Sequence, residues 1–397
     1  MTEIPSLAPL EALPNSSPST GPEDIALVMG GGGARAAYQV GFLRYLARRF
    51  PQLSFPYIHG VSAGAINAAL LASHHGNFLQ AVSELSTLWG DLRMEDVFRV
   101  DGRGLAGNAL RWLRQLGGGG MGHRASHVRG LVDTQPLRGY LTEALHAVDG
   151  ELTGVQANLE RARLKALAIT TTSYSSGSTV TWVQGRAIEP WSRPQRITLH
   201  ATMTVEHIMA SAALPLLFPA VQLGDGWYGD GGIRLTAPLS PALHMGARRI
   251  LAVSTRYDRT AAEWAESSIR AYPPPAQVAG VLLNAVFLDQ LDNDALRMER
   301  LNRLLEAIPE VERHGLRPVK LLVLRPSRDL GKLSSQFETQ LPRGIRFLTR
   351  GLGTRETKSP DVLSLILFQP GYLRALMEIG EADAHARADE IAAFMTS

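Results

Sequence analysis

Apolar residues in this chain come in short runs, and the two clearest runs are each followed by glycines and then by a helical pattern. Ile25-Ala26-Leu27-Val28-Met29 ends in Gly30-Gly31-Gly32-Gly33-Ala34-Arg35. Beyond it Val40, Leu43 and Leu46 fall on one side, with Arg44, Arg48 and Arg49 on another. A second run, Phe55-Pro56-Tyr57-Ile58-His59, ends in Gly60-Val61-Ser62-Ala63-Gly64 and is followed by a helix-forming stretch from Ala65 to Ser73. An uninterrupted apolar run bounded by glycine reads as a strand buried on both faces, and spacings of three and four as an amphipathic helix. Two strand–loop–helix units in succession predict neighbouring parallel strands with helices packed on the sheet.

Further along, Arg163–Thr172 and Ser178–Val183 read as two strands joined by a Ser/Gly turn. Val205–Ala213 reads as a helix that ends before Pro215, and Ile250–Ser254 as another buried strand. After Arg259 the character changes. Tyr272-Pro273-Pro274-Pro275 marks a break, and a leucine-rich helical pattern runs from Val281 to Ala307. Lys320–Leu324 follows as a strand, then helices at 361–379 and 383–395. Asp289, Asp292 and Asp294 do not have the spacing of a calcium loop, so they read as a solvated helix face. No internal repeat is visible.

Composition narrows the class. The chain has 397 residues, 45% hydrophobic and 19% charged, with a net charge of +3 and no cysteine. That describes a globular protein with a core. It excludes disulfides, thiolate nucleophiles and the strongly basic face of a nucleic-acid binder. No run approaches the length needed to span a bilayer. Residues 1–23, with Pro5, Pro9, Pro14, Pro18 and Pro22, read as a disordered leader without the pattern of a signal peptide, so a cytoplasmic protein is expected. One region stands apart. Between Gly102 and Val132 there is no acidic residue but five arginines and two histidines. Leu105, Ala109, Trp112, Leu113 and Leu116 make a helical stripe there, and Gly117–Gly120 follows. The bland reading is a surface helix and loop. The sharper one is a basic lid over 101–133 whose segment 105–129 meets anionic lipid at the membrane periphery.

The chemistry rests on glycines, one serine and one aspartate. Strand, G-x-S-x-G, helix is the context of a nucleophile elbow, which pushes a hydroxyl into the open at a helix start. Gly30–Gly33 is not a phosphate-binding P-loop, because no Gly-Lys-Ser/Thr follows. Gly31, Gly33 and Ala36 fit the dinucleotide fingerprint, but that fingerprint needs an acidic residue some twenty positions on, and none occurs between Asp24 and Glu84. Backbone amides at a helix start, facing Ser62 and stabilising an oxyanion, fit better. Ser62 needs a base. The later histidines His244, His314 and His385 lie in no catalytic-looking loop, and His59 reads as local packing. An aspartate within hydrogen-bond reach would serve directly. Tyr228-Gly229-Asp230-Gly231-Gly232 otherwise reads as a tight turn.

Gly31-Gly32-Gly33-Ala34-Arg35, Gly60-Val61-Ser62-Ala63-Gly64 and Asp230-Gly231-Gly232 resemble, in order and spacing, the three signatures of patatin-like phospholipases. Glu206–Pro215 leading to Phe218-Pro219, and Pro238–Ala242, are similar to that family as well. The resemblance covers about residues 24–256, a catalytic domain; residues 270–397 are similar to the C-terminal extension of some bacterial members, and 257–397 is expected as a mainly helical region packed on that domain. It implies a three-layer α/β fold, with a central, mostly parallel sheet flanked by helices. It implies a dyad of Ser62 as nucleophile and Asp230 as general base, and an oxyanion site built by Gly31, Gly32, Gly33 and Arg35. Gly60, Gly64, Gly231 and Gly232 complete the motifs, and no metal or cofactor is implied. The expected reaction is hydrolysis of a lipid ester of phospholipase A or lysophospholipase type through an acyl-serine. A small-ester or thioester hydrolase on the same site, and a catalytically silent lipid-binding or scaffolding protein, are the alternatives. One departure is Ala36, where the family usually has glycine. Oligomeric state is not indicated.

Overall fold

A computed structural model describes residues 24–99, 130–260, 290–313, 316–337 and 361–396, with isolated positions between 260 and 290. The leader 1–23, the basic segment 105–129, His314 and Asp289 lie outside the described residues. No described helix is long and apolar enough to cross a membrane.

The two predicted units are present. Strand β1 (Ile25–Met29) leads through a 3-10 turn at Gly33–Ala36 into helix α1 (Ala37–Arg49), and β2 (Tyr57–Val61) leads into α2 (Ala63–Ser73). Helix α3 (Phe78–Asp91) is closed by a capping box between Asn77 and Gln80. Helix α4 (Gln135–Ala144), the strand pair β3 (Ala166–Ser173) and β4 (Thr179–Gly185), the short β5 (Ser192–Arg193) and β6 (Arg196–His200), and helix α5 (Val205–Ser211) follow. Then come β7 (Val221–Leu223), β8 (Gly226–Asp230), β9 (Arg249–Val253), α6 (Gln290–Glu306), β10 (Lys320–Leu324), α7 (Asp361–Ile366), α8 (Pro370–Ala386) and α9 (Ala388–Thr396). All belong to one sheet or to the helices around it. The main order is β10-β9-β1-β2-β3-β4-β6-β5, with β8 on β3 and β7 on β8. From β10 to β3 every pairing is parallel, and the Ser/Gly turn joins β3 to β4 as an antiparallel pair.

Alternation along the strands builds the layers. Ile25, Leu27 and Met29 enter the large core with α1, α2 and α3, while Ala26 and Val28 enter a second core with Leu291, Ala295 and Met298 of α6. Both faces of the central strands are thus covered, which is why those strands read as unbroken apolar runs. The result is a mostly parallel sheet between helical layers.

Helix α8 packs against α1 of the first unit. Helix α8 crosses α1 at two glycines. A methyl on Gly41 would run into the Met377 carbonyl, and one on Gly380 into the Tyr38 carbonyl. Arg44 and Arg48 of α1 both pair with Glu381 of α8, at 3.2 and 2.6 Å. Two expectations need correction here. The helix expected over 361–379 breaks at 367–369, because Pro370, with no N–H to donate, starts a new helix. That helix then runs on to Ala386, through the gap expected at 380–382. Asp292 and Asp294 are not simply solvated. Asp292 accepts from Arg256 and Arg325, and Asp294 accepts the Leu239 amide. Among the described residues no group of acidic or histidine side chains has a metal-site arrangement.

Candidate active site

Register on β3 brings the serine and the aspartate together. The parallel ladder between β2 and β3 ends where Val61 faces Thr170. Strand β8 takes over on the same edge of β3, antiparallel, with Asp230 facing Thr171. The residue after Val61 is therefore placed beside Asp230, although 168 positions separate them in sequence. At Ser62 the chain leaves the sheet with φ 56 and ψ −132 and enters α2. That is a strained conformation for a residue with a side chain, and it persists only where the surroundings over-determine it. The Ser62 hydroxyl does not cap its helix. It donates to Asp230 Oδ2 at 2.6 Å.

Both groups are buried, Ser62 at 2% and Asp230 at 0% exposure. Asp230 Oδ1 accepts the Gly232 amide at 2.8 Å. Burial disfavours the carboxylate and pushes its pKa up to about 7, while the hydrogen bonds from Ser62 and Gly232 pull the other way.

The glycine loop lies directly against the serine. A methyl on Gly31 would sit 2.9 Å from Ser62 Cβ. Gly32 has φ +142 and abuts Thr255, whose hydroxyl donates to the Gly31 carbonyl at 2.8 Å. Gly33 has φ +54 and lies on the Leu365 carbonyl, so α7 forms the floor of the loop. Positive φ at both positions is conformational space that glycine enters freely. Arg35 is buried at 4%, and its Nε donates to Ser364 Oγ at 2.7 Å. Ala36 has φ −64, an ordinary helical value, so the methyl at this departure from the family pattern costs no strain. Gly60 and Gly64 let α2 approach the sheet: a methyl on Gly60 would meet Ala68, and one on Gly64 the Met29 and Gly30 carbonyls. Gly231 lies on the Thr170 carbonyl.

Beside Ser62 is an apolar cavity of about 30 Å3, lined by Ile66, Trp89, Leu137, Leu141, Phe218 and Phe368 among others. Phe368 reaches it because the chain breaks before Pro370. Three buried polar side chains brace this region. Gln39 donates to the Gly30 carbonyl at 2.8 Å, Asn67 donates to Gln39 Oε1 at 2.9 Å, and Trp89 donates to Asn67 Oδ1 at 2.7 Å. The chain Trp89–Asn67–Gln39–Gly30 thus links the cavity wall to the glycine loop.

No described histidine approaches this pair as a hydrogen-bond partner. His59 is fully buried against the Thr170 hydroxyl at 2.9 Å, and burial lowers its pKa to about 4. His244 stacks on Trp191, and His385 meets the edge of Tyr45. Sequence reasoning did not single out Ser211, Gln39, Asn67, Thr255 or Phe368. Asn67, alone among alanines and leucines, and Pro370 were the readable signals.

The site thus sets a serine at a strained strand-to-helix turn, hydrogen-bonded to a buried carboxylate, beside a glycine loop. Residues 27–243 match the patatin-like phospholipase family, and the chain belongs to it. No curated relative matches the chain. Among solved structures, VipD from Legionella pneumophila is 12% identical, with a TM-score of 0.36 over 98% of this chain and 72% of its own. Human GIVD cytosolic phospholipase A2, solved in complex with methyl gamma-linolenyl fluorophosphonate, is 14% identical, with a TM-score of 0.41. The match spans 94% of this chain and 59% of that one.

Proposed function

We propose that the protein is a lipid acyl hydrolase of phospholipase A or lysophospholipase type, working through a Ser62–Asp230 dyad. The observation that carries this reading is the 2.6 Å contact between Ser62 Oγ and Asp230 Oδ2 at the edge of an apolar cavity. An ester carbonyl beside Ser62 would have its acyl chain in apolar surroundings. Asp230 takes the hydroxyl proton as Oγ attacks the carbonyl carbon, and the oxyanion is held by the amides of Gly31–Gly33. Collapse breaks the ester C–O bond, and the leaving alkoxide takes the proton from Asp230. Water then gives a proton to Asp230 and attacks acyl-Ser62. As the second tetrahedral adduct collapses, Ser62 recovers that proton and the fatty acid departs. A base with a pKa near 7 suits this work at neutral pH, being free to accept a proton yet basic enough to take one. Arg35, held by Ser364, serves the loop by fixing its exit into α1.

The test is product identification by mass spectrometry after incubating wild type and Ser62→Ala with total membrane lipids. Free fatty acid and lysolipid, or glycerophosphodiester, are expected from wild type alone. Labelling of Ser62 by a fluorophosphonate separates this reading from a silent lipid-binding role. The small size of the cavity, about 30 Å3, favours as a second reading a hydrolase of short esters or thioesters. A series of p-nitrophenyl esters of increasing chain length decides between the two. We further propose that the arginine-rich segment 105–129 meets anionic lipid. Replacing Arg111 and Arg114 by glutamate is expected to weaken salt-sensitive binding to anionic vesicles.

A further inference from the structure

We propose that Ser211 is a positioning residue, the hydroxyl of a two-point clamp that sets the distance between Ser62 and Asp230. This rests on the dyad reading above. The ladder of β2 on β3 ends at Val61 and Thr170 because Ser62 turns out of the sheet. The Ser62 amide can then no longer pair directly with β3. The Ser211 hydroxyl fills that place. It accepts the Ser62 amide at 2.9 Å and donates to the Thr170 carbonyl at 2.7 Å. A hydroxyl gives and accepts at a single atom, so it can replace one rung of a ladder with a relay. Ser211 is wholly buried, which leaves water no access to substitute for it. Two residues on, the Ala213 carbonyl accepts the Asp230 amide at 3.0 Å. One short stretch at the end of α5 therefore grips the backbone of both residues.

Two consequences follow from the geometry. The strained φ of Ser62 is held by a bond made outside its own strand and helix. The Ser62 amide is also occupied, so it does not serve as an oxyanion donor. Loss of the Ser211 hydroxyl lets Ser62 relax away from Asp230. The 2.6 Å hydrogen bond then weakens, and with it the pull that holds the Asp230 pKa down against burial. The groups facing Asp230 are the Ser62 hydroxyl, the Gly232 amide and the Tyr174 ring, which senses the Asp230 charge.

The test uses the full chain and a medium-chain p-nitrophenyl ester across pH 5.5 to 9, with wild type, Ser62→Ala, Ser211→Ala and Ser211→Cys in parallel. Ser211→Ala is expected to lower kcat by roughly 10- to 100-fold, the scale of a small misplacement of reacting groups. KM should change little, and the acid-limb midpoint should move upward. Ser211→Cys, with a weaker donor of similar volume, is expected to fall between. A wild-type kcat in Ser211→Ala overturns the proposal. So does a loss matched entirely by the fraction unfolded, with the midpoint unmoved. If Ser211→Ala does not fold, Ser211→Cys carries the same two readouts, and wild-type values in it overturn the clamp. Activity surviving in Ser62→Ala overturns the dyad reading instead. The clamp is then read by hydrogen exchange of the Ser62 amide, faster in the Ser211 variant if the clamp exists and unchanged if it does not.

Discussion

Two cavities occupy opposite ends of β2 and α2, and the larger one is the less promising place for chemistry. The cleft beside Phe55, Ile58, Ala72, His74 and Arg163 encloses about 500 Å3, against about 30 Å3 beside Ser62. Backbone polarity distinguishes them. At the large cleft α2 ends, and its exposed carbonyls are already answered: Asn158 donates to the Ala72 and His74 carbonyls and Arg163 to that of His75. At the small cavity α2 begins and β2 ends in a strained turn. Helix starts favour negative charge, and open α/β sheets bind ligands beyond the carboxyl ends of their strands. Cavity size records where side chains fail to fill space. The end of the strand records where charge can be stabilised.

The contrast breaks most directly at the dyad. Ser62→Ala and Asp230→Ala are each expected to lower esterase activity by at least about 1000-fold. His75→Ala in the large cleft should leave kcat/KM at its wild-type value. Steady-state assays on folded protein, with fluorophosphonate labelling of the serine, read both ends. An equal loss at His75 would overturn the assignment of the small cavity.

Next in size is the loop. Gly31→Ala presses a methyl onto Ser62, and roughly a 100-fold loss of kcat is expected from the displacement. A variant that keeps full kcat would show that the loop yields without disturbing the serine.

The pH profile sharpens the comparison further. The Asp230 pKa is raised, so the folded state holds more protons than the unfolded chain between about pH 4 and 7. Stability from this group is complete below the unfolded value and falls as pH rises through the folded one. Activity moves the other way, rising toward a midpoint near pH 7 as the carboxylate forms. Asp230→Asn keeps both hydrogen bonds, accepting from Gly232 and now donating to Ser62. It is expected to be inactive yet more stable than wild type at pH 8, by on the order of 3 kcal/mol. Chemical denaturation at pH 5 and 8 measures this, and equal stability at pH 8 would remove burial as the cause.

The smallest effect lies in the cavity wall. Phe368→Leu shortens a side chain that lines the apolar cavity beside Ser62. Preference along an ester series is expected to move toward longer chains by a few fold, about the discrimination carried by one or two methylenes. Unchanged preference would place the acyl chain elsewhere.

Much of the fold was legible in the pattern of the chain. The runs at Ile25–Met29 and Lys320–Leu324 are strands because both of their faces are covered, and the Ser/Gly turn joins β3 to β4 as the spacing implied. The candidate site was legible where a local motif carries it: an elbow needs small neighbours, and a glycine run needs positive φ. What could not be read is what arrives from a distance. Ser211 is one serine in an ordinary helical stretch until β3 places the Thr170 carbonyl against it. Gln39 looks like a surface residue until the fold sets the Gly30 carbonyl and Asn67 against its amide. The helix break at Pro370 was readable as chemistry, but not its consequence, that Phe368 would line a cavity more than 300 residues from Ser62 in sequence.

That distance has a meaning in time. Arg35 and its partner Ser364 lie 329 positions apart. A ribosome adding roughly 5–20 residues per second needs on the order of twenty seconds to a minute to make the second after the first. Through that interval the nascent chain carries a serine and glycine loop whose floor, Leu365, has not yet been synthesised. Asp230 and Thr255 arrive partway, and the Arg35–Ser364 contact later still. The order of synthesis therefore postpones the finished loop until long after the serine itself has been made.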